Sequence, residues 1–204
     1  MSIGLIQSAA PTIEPVTLAE ARVHLRIDNT SDDLLIERCI TAARRFCEHW
    51  TQRQFITATW KLYLREFPSG EGEIVLPRPP IGSVTSIAYI DTNGATQTLA
   101  AGNYRVTAGR TPARIEPAYD CAWPGTRDVS EAVIVTYTAG YGATAASVPA
   151  DLRAAILLMV THLYEFRQPV IAGTITKAVE LSVTSLLDTF RHGWTWDITE
   201  EDRA

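Results

Sequence analysis

The sequence VPADLRAAILLMVTHLYEFR, residues 148–167, carries the clearest long helical pattern in the chain. Pro149 suits a first helical turn, because the N–H that proline lacks would have no partner there. On a helical wheel, apolar residues from Leu152 to Phe166 share one face, and Leu157 lies outside it. A helix that is apolar around most of its circumference needs cover on several sides, from its own chain or from neighbouring copies. The pattern therefore predicts a central helix on which a helical core packs.

The N-terminal stretch changes character at Thr17. Residues 1–16 contain two prolines among small and apolar residues, so they predict an extended N-terminal arm that is available to lie on a partner. Residues 17–20, TLAE, form a capping box in which the Thr17 hydroxyl and the Glu20 carboxylate satisfy backbone N–H groups. A short helix is expected from this point to about Arg26.

A second helix is predicted after the polar turn 28–33, running to about Thr51. Its apolar residues occupy one half of the wheel and can pack on the central helix. The other half is polar and is expected to be a free surface. Arg44 and Glu48 lie four residues apart on that half, a spacing that favours an ion pair.

Between residues 54 and 142 the sequence changes to short β-rich runs separated by Gly, Pro, Asn and Asp. The tetrapeptide DTNG at 91–94 is typical of a hairpin turn. The predicted strands are residues 60–65, 74–76, 84–90, 95–99, 104–107, 113–116 and 132–138. Their regular spacing predicts an antiparallel sheet or a small sandwich, inserted between helices.

After the central helix, residues 168–178 are expected to form a loop or a short hairpin. Ser182, Thr184 or Ser185 can cap a short last helix, which Gly193 ends. The chain thus predicts an α+β fold. Its helical core comes from residues 17–53 and 148–193, with the β-region 54–142 inserted between them, the arm 1–16 in front and a tail 194–204 behind.

The composition is that of a soluble globular protein, with 46% hydrophobic and 20% charged residues. A formal net charge of −5 argues against nucleic-acid binding driven by overall charge. The three cysteines show no C-x-x-C spacing and are expected to be reduced. The longest apolar run, residues 154–160, is too short to span a bilayer, and no signal peptide opens the chain. We expect no membrane partner and synthesis in a reducing cytoplasm.

The sequence contains no motif that predicts catalysis or metal binding. The four histidines lie on different predicted elements, and His162 with Glu165 forms only a lone H-x-x-E pair. The acidic turn 28–33 lacks the glycine and the distal glutamate of a calcium-binding EF-hand loop. We therefore predict no catalytic, metal-binding or cofactor-binding residues, and a protein that is not an enzyme.

Short segments spread along almost the whole chain occur in an order and spacing that are typical of one family. They are Val16 to Arg22, His24 to Arg26, Asp32 and Asp33, Ile40, Ala42, Ala43, Glu48, Leu76 to Ile81, Val135 to Gly142, Val148, Pro149, Leu152, Tyr164, Glu165 and Arg167. In this arrangement the chain resembles the head–tail connector (adaptor) proteins of long-tailed phages and phage-like gene-transfer particles.

The resemblance implies a structural virion protein, made in the bacterial host cytoplasm and located at the head–tail junction. It implies a homo-oligomeric, dodecameric ring beneath the portal protein. The next tail-side partner would be a head-completion, stopper or tail-terminator protein. Double-stranded DNA would pass through the ring without sequence-specific binding.

Residues on the polar half of the second helix and near the C-terminus are candidates for contacts with other copies or with the portal. They are Arg44, Arg45, Glu48, Tyr164, Arg167, Phe190, Trp194 and Trp196. An alternative is that the β-region is a carbohydrate- or ligand-binding module of a virion receptor-binding protein. An enzyme acting on nucleic acid is a more distant alternative, because the acidic residues of the β-region do not pair in the sequence.

Overall fold

The computed structural model describes residues 3–70, 72–166 and 175–191. Within them the chain forms two compact units. One is a β unit of residues 3–10 and 57–140, and the other is a helical unit of residues 11–56 and 141–191. The four helices and the antiparallel sheets confirm the α+β fold class.

The first two helices lie close to their predicted bounds, but Asp32, the residue before the second helix, makes no side-chain capping hydrogen bond of the kind that the polar turn suggested. Helix α1 (Leu18–Leu25) follows the capping box, in which Thr17 Oγ1 accepts a hydrogen bond from the Glu20 N–H at 3.2 Å. The Glu20 carboxylate accepts one from the Thr17 N–H at 2.8 Å. Helix α2 (Asp33–Thr51) is followed by Gln52, which adopts a left-handed conformation and caps the helix.

Helix α3 (Ala150–Glu165) is the predicted central helix, and Pro149 precedes its first turn. It contacts α1, α2 and the last helix, α4 (Ile175–Asp188), all within its own chain. Leu152, Ile156 and Val160 are fully buried, whereas Leu163 is only partly buried. Other helices of the same chain therefore bury the apolar surface of α3 on several sides.

Helix α4 (Ile175–Asp188) begins earlier than the sequence predicted. The prediction of a loop or hairpin at 168–178 is wrong for residues 175–178, which belong to the helix. The prediction that Ser182, Thr184 or Ser185 caps the helix is also wrong, because these residues lie inside it. Apolar residues at 175, 179, 183 and 187 recur every four positions, and this spacing continues the helix through threonine and serine positions that suggested a cap. Residues 167–174 lie outside the described part.

The β unit contains two antiparallel sheets. The strands are β1 (Ile3–Ala9), β2 (Ala58–Leu64), β3 (Ile74–Val75), β4 (Ile81–Ile90), β5 (Thr96–Thr98), β6 (Tyr104–Thr107), β7 (Arg114–Pro117) and β8 (Val133–Ala139). The five-stranded sheet has the order β1-β2-β8-β4-β5, and the three-stranded sheet has the order β3-β7-β6. Each strand predicted between residues 54 and 142 is present.

Alternation along the central strands builds the core of the β unit. Leu62 of β2 lies opposite Val135 of β8, which in turn lies opposite Ile87 of β4, and all three side chains are fully buried. Tyr137 is also buried, and its hydroxyl donates a hydrogen bond to the Pro77 carbonyl at 3.0 Å. This pairing fixes which side of each strand faces the core.

Strand β1 changes the interpretation of residues 1–16. They were expected to form an arm free to lie on a partner, but residues 3–9 pair antiparallel with β2, Leu5 lying opposite Leu62. The backbone is extended, as the sequence suggested. Its partner strand follows only after both α1 and α2, and a local pattern cannot reveal a pairing between such distant segments.

Candidate functional site

A buried ion-pair network lies on the polar half of α2. The Arg44 side chain donates to Glu14 at 2.6 Å through Nε and to Glu48 at 2.8 Å through Nη1. Arg44 and Glu48 are 7% and 8% exposed. Burial by itself would lower the pKa of Arg44, but the hydrogen bonds and charges of Glu14 and Glu48 outweigh it and raise that pKa. The guanidinium is therefore held in its charged form inside the helical unit.

Glu48 also anchors the turn that follows α2. Its Oε1 accepts hydrogen bonds from Gln54 Nε2 at 2.8 Å and from the Phe55 N–H at 3.0 Å, while Oε2 binds Arg44. This corrects the expectation that the polar half of α2 is a free surface, because two of its charged residues have internal partners. The predicted Arg44–Glu48 pair is confirmed. Glu14 lies before α1 and outside α2, so helical spacing gave no sign of its part in the network.

The outer face of α2 has a different character. Leu34 is 70% exposed, and Arg38, Ala42 and Arg45 are exposed along the same side of the helix. Together with Glu37 and Thr41 these residues line a shallow groove. Arg45, one of the predicted contact residues, is thus placed where another molecule can reach it.

The C-terminal end of the helical unit gathers several aromatic side chains. The Tyr164 hydroxyl donates to the Asp32 carboxylate, and the Phe190 carbonyl accepts a hydrogen bond from Arg53 Nε at 2.6 Å. Both rings are partly buried against the helical core. Of the other predicted contact residues, Arg167, Trp194 and Trp196 lie outside the described residues.

Strand β1 forms an outer edge of the five-stranded sheet. Its seven residues include no charge and no proline, and Ile6 is 55% exposed. Sheet edges are usually protected by charges, prolines or short length. Two other edge strands are short, since β3 has two residues and β5 has three, and a third, β6, carries Arg105. Among the described strands β1 is thus the edge best suited to accept a further strand.

Three arginines of the small, three-stranded sheet and its β6–β7 connection have acidic partners in the chain. Arg105 pairs with Glu116 at 2.8 Å, and Arg110 and Arg114 both pair with Glu73. The arginines therefore share two acids on one surface of the β unit. This arrangement limits the positive charge they can offer to a phosphate backbone.

Within the described residues, potential metal ligands do not cluster, and the Cys47 thiol is unreactive. No group of three or more His, Cys, Asp or Glu side chains there is placed to hold a metal ion. Cys39 and Cys47 are buried and form no disulfide, and burial, with a smaller effect from Glu48, raises the pKa of the Cys47 thiol to about 12. A thiol with so high a pKa stays protonated near neutral pH and is a poor nucleophile. In the same part of the chain, no helix combines the length and apolar character that crossing a bilayer requires.

One family model matches most of the chain. A sequence model of the head completion protein family matches residues 14–177. No curated protein sequence matches the chain significantly.

Solved structures share the fold over nearly the whole chain. A chain in the neck of an empty gene transfer agent particle, computed with C6 symmetry, is 24% identical with a TM-score of 0.78, covering 95% of this chain and 98% of that one. A chain in the virion of a native gene transfer agent particle is 24% identical with a TM-score of 0.77, covering 95% and 97%. A chain in the neck of the native particle, computed with C12 symmetry, is 25% identical with a TM-score of 0.74, covering 97% and 98%. The receptor-binding alternative gains no support from these matches.

Proposed function

Because the chain belongs to the head completion protein family, we propose that it acts as a structural head–tail connector of a phage or phage-like particle. The observation that carries this proposal is the extent of the match. Residues 14–177 include most of the helical unit and all of the β unit from residue 57 onward. The likeness therefore concerns the whole architecture rather than one module placed in an unrelated protein.

We infer that the working form is a closed ring of copies at the head–tail junction. The similar neck chains come from reconstructions with C6 and C12 symmetry, and a dodecameric ring fits both. Cyclic rings are built from heterologous contacts, in which one surface of each copy meets a different surface of the next. The outer face of α2 and the free edge of β1 are candidate surfaces of this kind. Tyr164 and Phe190 at the C-terminal end of the helical unit are further candidates.

The proposed partners are the portal protein on the head side and a stopper or tail-terminator protein on the tail side. Double-stranded DNA would pass through the ring with little adhesion. The net charge of −5 per copy adds around a ring, and the arginines of the small sheet already have acidic partners. A salt series with double-stranded DNA tests this point, since many phosphate contacts would give tight binding that falls steeply with salt.

The connector role is tested by joining heads to tails in vitro. Heads that contain portal but lack this protein are mixed with the purified chain and with tails, and tailed particles are counted by negative-stain electron microscopy. We expect tailed particles only when the chain is present.

Deleting residues 195–204 should leave the unfolding midpoint unchanged but reduce the number of tailed particles. Failure of the intact chain to bind such heads, together with binding to host-cell glycans, would favour a receptor-binding protein instead.

A further inference from the structure

The groove on the outer face of α2 combines an exposed apolar side chain with two exposed cations and one exposed acid, Glu37, so its lining carries a net positive charge. Leu34, Arg38 and Arg45 lie within about 40° of one another around the helix, because they are four and seven residues apart. Within the described part of the chain, neither Arg38 nor Arg45 pairs with a carboxylate. Other arginines of the helical unit do pair, since Arg22 binds Asp33 and Arg153 binds Glu20.

The chemistry of this groove fits an acidic segment that also carries apolar residues. Arg38 and Arg45 are separated by about 10 Å along the helix axis, so one carboxylate cannot satisfy both, and a segment with several spaced carboxylates can. Leu34 and Ala42 offer apolar contact on the same face. A single short polar ligand would leave this part of the groove uncovered.

The chain itself contains a segment with those properties, at residues 194–202. Its sequence WTWDITEED has four carboxylates within its last six residues, the densest acidic stretch of the chain. Trp194, Trp196 and Ile198 supply large apolar side chains in the same stretch. The segment and the groove thus have opposite charge and matching apolar content.

We propose that residues 194–202 of one copy bind in the Leu34–Arg45 groove of an adjacent copy. This inference rests on the proposed ring. A heterologous ring contact needs a donating and an accepting surface on every copy, and the acidic segment and the basic groove form such a pair. Each copy gives its C-terminal segment to one neighbour and receives that of the other.

Sedimentation velocity of four full-length samples over a range of concentrations tests the proposal. The first is the wild type. The second has a neutral segment, with Asp197→Asn, Glu200→Gln, Glu201→Gln and Asp202→Asn. The third has a reversed groove, with Arg38→Glu and Arg45→Glu, and the fourth is an equimolar mixture of the second and third. Arg26→Glu, which reverses an exposed arginine outside the groove, is the matched control.

We expect the wild type and Arg26→Glu to self-associate as concentration rises. The neutral-segment and reversed-groove chains should each associate at least about tenfold more weakly, as loss of about 1.4 kcal/mol or more would give. Their mixture should form a pair and stop there, because one chain has only a working groove and the other only a working segment. Higher salt should weaken every association.

Three results would overturn the proposal. They are a wild type that stays monomeric, single variants that associate as well as the wild type, or a mixture that does not pair. Circular dichroism of the reversed-groove chain checks that it is folded, and we expect the wild-type spectrum. None of these samples contains heads or portal, so failure of the association is distinguishable from failure of the intact chain to join heads to tails.

Discussion

Arg44 and Arg45 are neighbours in the sequence, yet they belong to opposite sides of α2. Arg44 is 7% exposed and pairs with Glu14 and Glu48, whereas Arg45 is exposed and lines the outer groove. One step along a helix turns the side chain by about 100°. That rotation decides whether the same residue type holds the helical unit together or remains available to another molecule.

The difference shows that the polar half of an amphipathic helix is not a single surface. Its inner side, around Arg44 and Glu48, ties α2 to the segment before α1 and to the turn after α2. Its outer side, around Leu34 and Arg45, is exposed and lines a groove instead. Mutations on the inner side should therefore change stability, and mutations on the outer side should change assembly.

The largest effect is expected for Glu48→Ala. This change leaves the Arg44 charge buried with only Glu14 and removes the acceptor for the Phe55 N–H, so the free energy of unfolding should fall by about 3–5 kcal/mol. Urea denaturation measures it. Glu37→Ala, on the exposed side of the same helix, is the control and should change stability by less than about 0.5 kcal/mol. If the two variants lowered the free energy of unfolding equally, the inner and outer sides of α2 would not differ in their contribution to stability.

A comparably large loss is expected where α3 packs against the helical core. Ile156 is fully buried, so Ile156→Ala should lower the free energy of unfolding by about 2–5 kcal/mol. Leu163 is only partly buried, and Leu163→Ala should cost clearly less. Thermal or chemical denaturation of the two variants checks the order, and the reverse order would mean that the burial along α3 is misassigned.

A smaller, pH-dependent effect is expected at Glu20. The hydrogen bond from the Thr17 N–H lowers the pKa of the Glu20 carboxyl in the folded chain. A lowered folded-state pKa means that the stabilisation is present above the ordinary glutamate pKa and is lost as the pH falls through the folded value. Because solvent screens this carboxylate, Glu20→Gln should cost no more than about 1 kcal/mol at neutral pH. Urea denaturation across a pH series should show the difference from the wild type shrinking in acid, and a difference independent of pH would contradict this.

The smallest effect on stability is expected for Arg45→Ala. The side chain is exposed and has no acidic partner among the described residues, so the free energy of unfolding should change by less than about 0.5 kcal/mol. The same variant should weaken self-association measurably. If urea denaturation instead showed that the free energy of unfolding falls by about 3 kcal/mol or more, as expected when a buried ion pair is broken, Arg45 would be a buried structural residue like Arg44.

Much of the fold could be predicted because its signals are local. The capping box at Thr17 marked the start of α1, the period of apolar residues indicated α2 and α3, and turn residues such as those at 91–94 separated the strands. Each of these signals lies within a few residues of the element it defines. The first half of α4 was predicted to be a loop, because serine and threonine residues inside the helix resemble N-caps.

The contacts that the sequence did not predict are long-range. Strand β1 pairs with a strand on the far side of α1 and α2 in the sequence, and Glu14 reaches Arg44 from a segment before α1. Such pairs follow from how elements pack, and no spacing along the chain encodes them. For the same reason, a helical wheel alone could not show that Arg44 and Glu48 are buried while Arg45 is exposed. The wheel places all three on the polar half and does not show which segments pack against it.

The most direct test of the connector role is the mass of the complex that the chain forms with purified portal rings, measured by mass photometry. We expect one discrete heavier species, larger than the portal ring by a whole number of chains near twelve. The Arg38→Glu and Arg45→Glu chain should give incomplete or no rings on the same portal. A portal mass that does not change when the intact chain is added in excess would contradict the connector role.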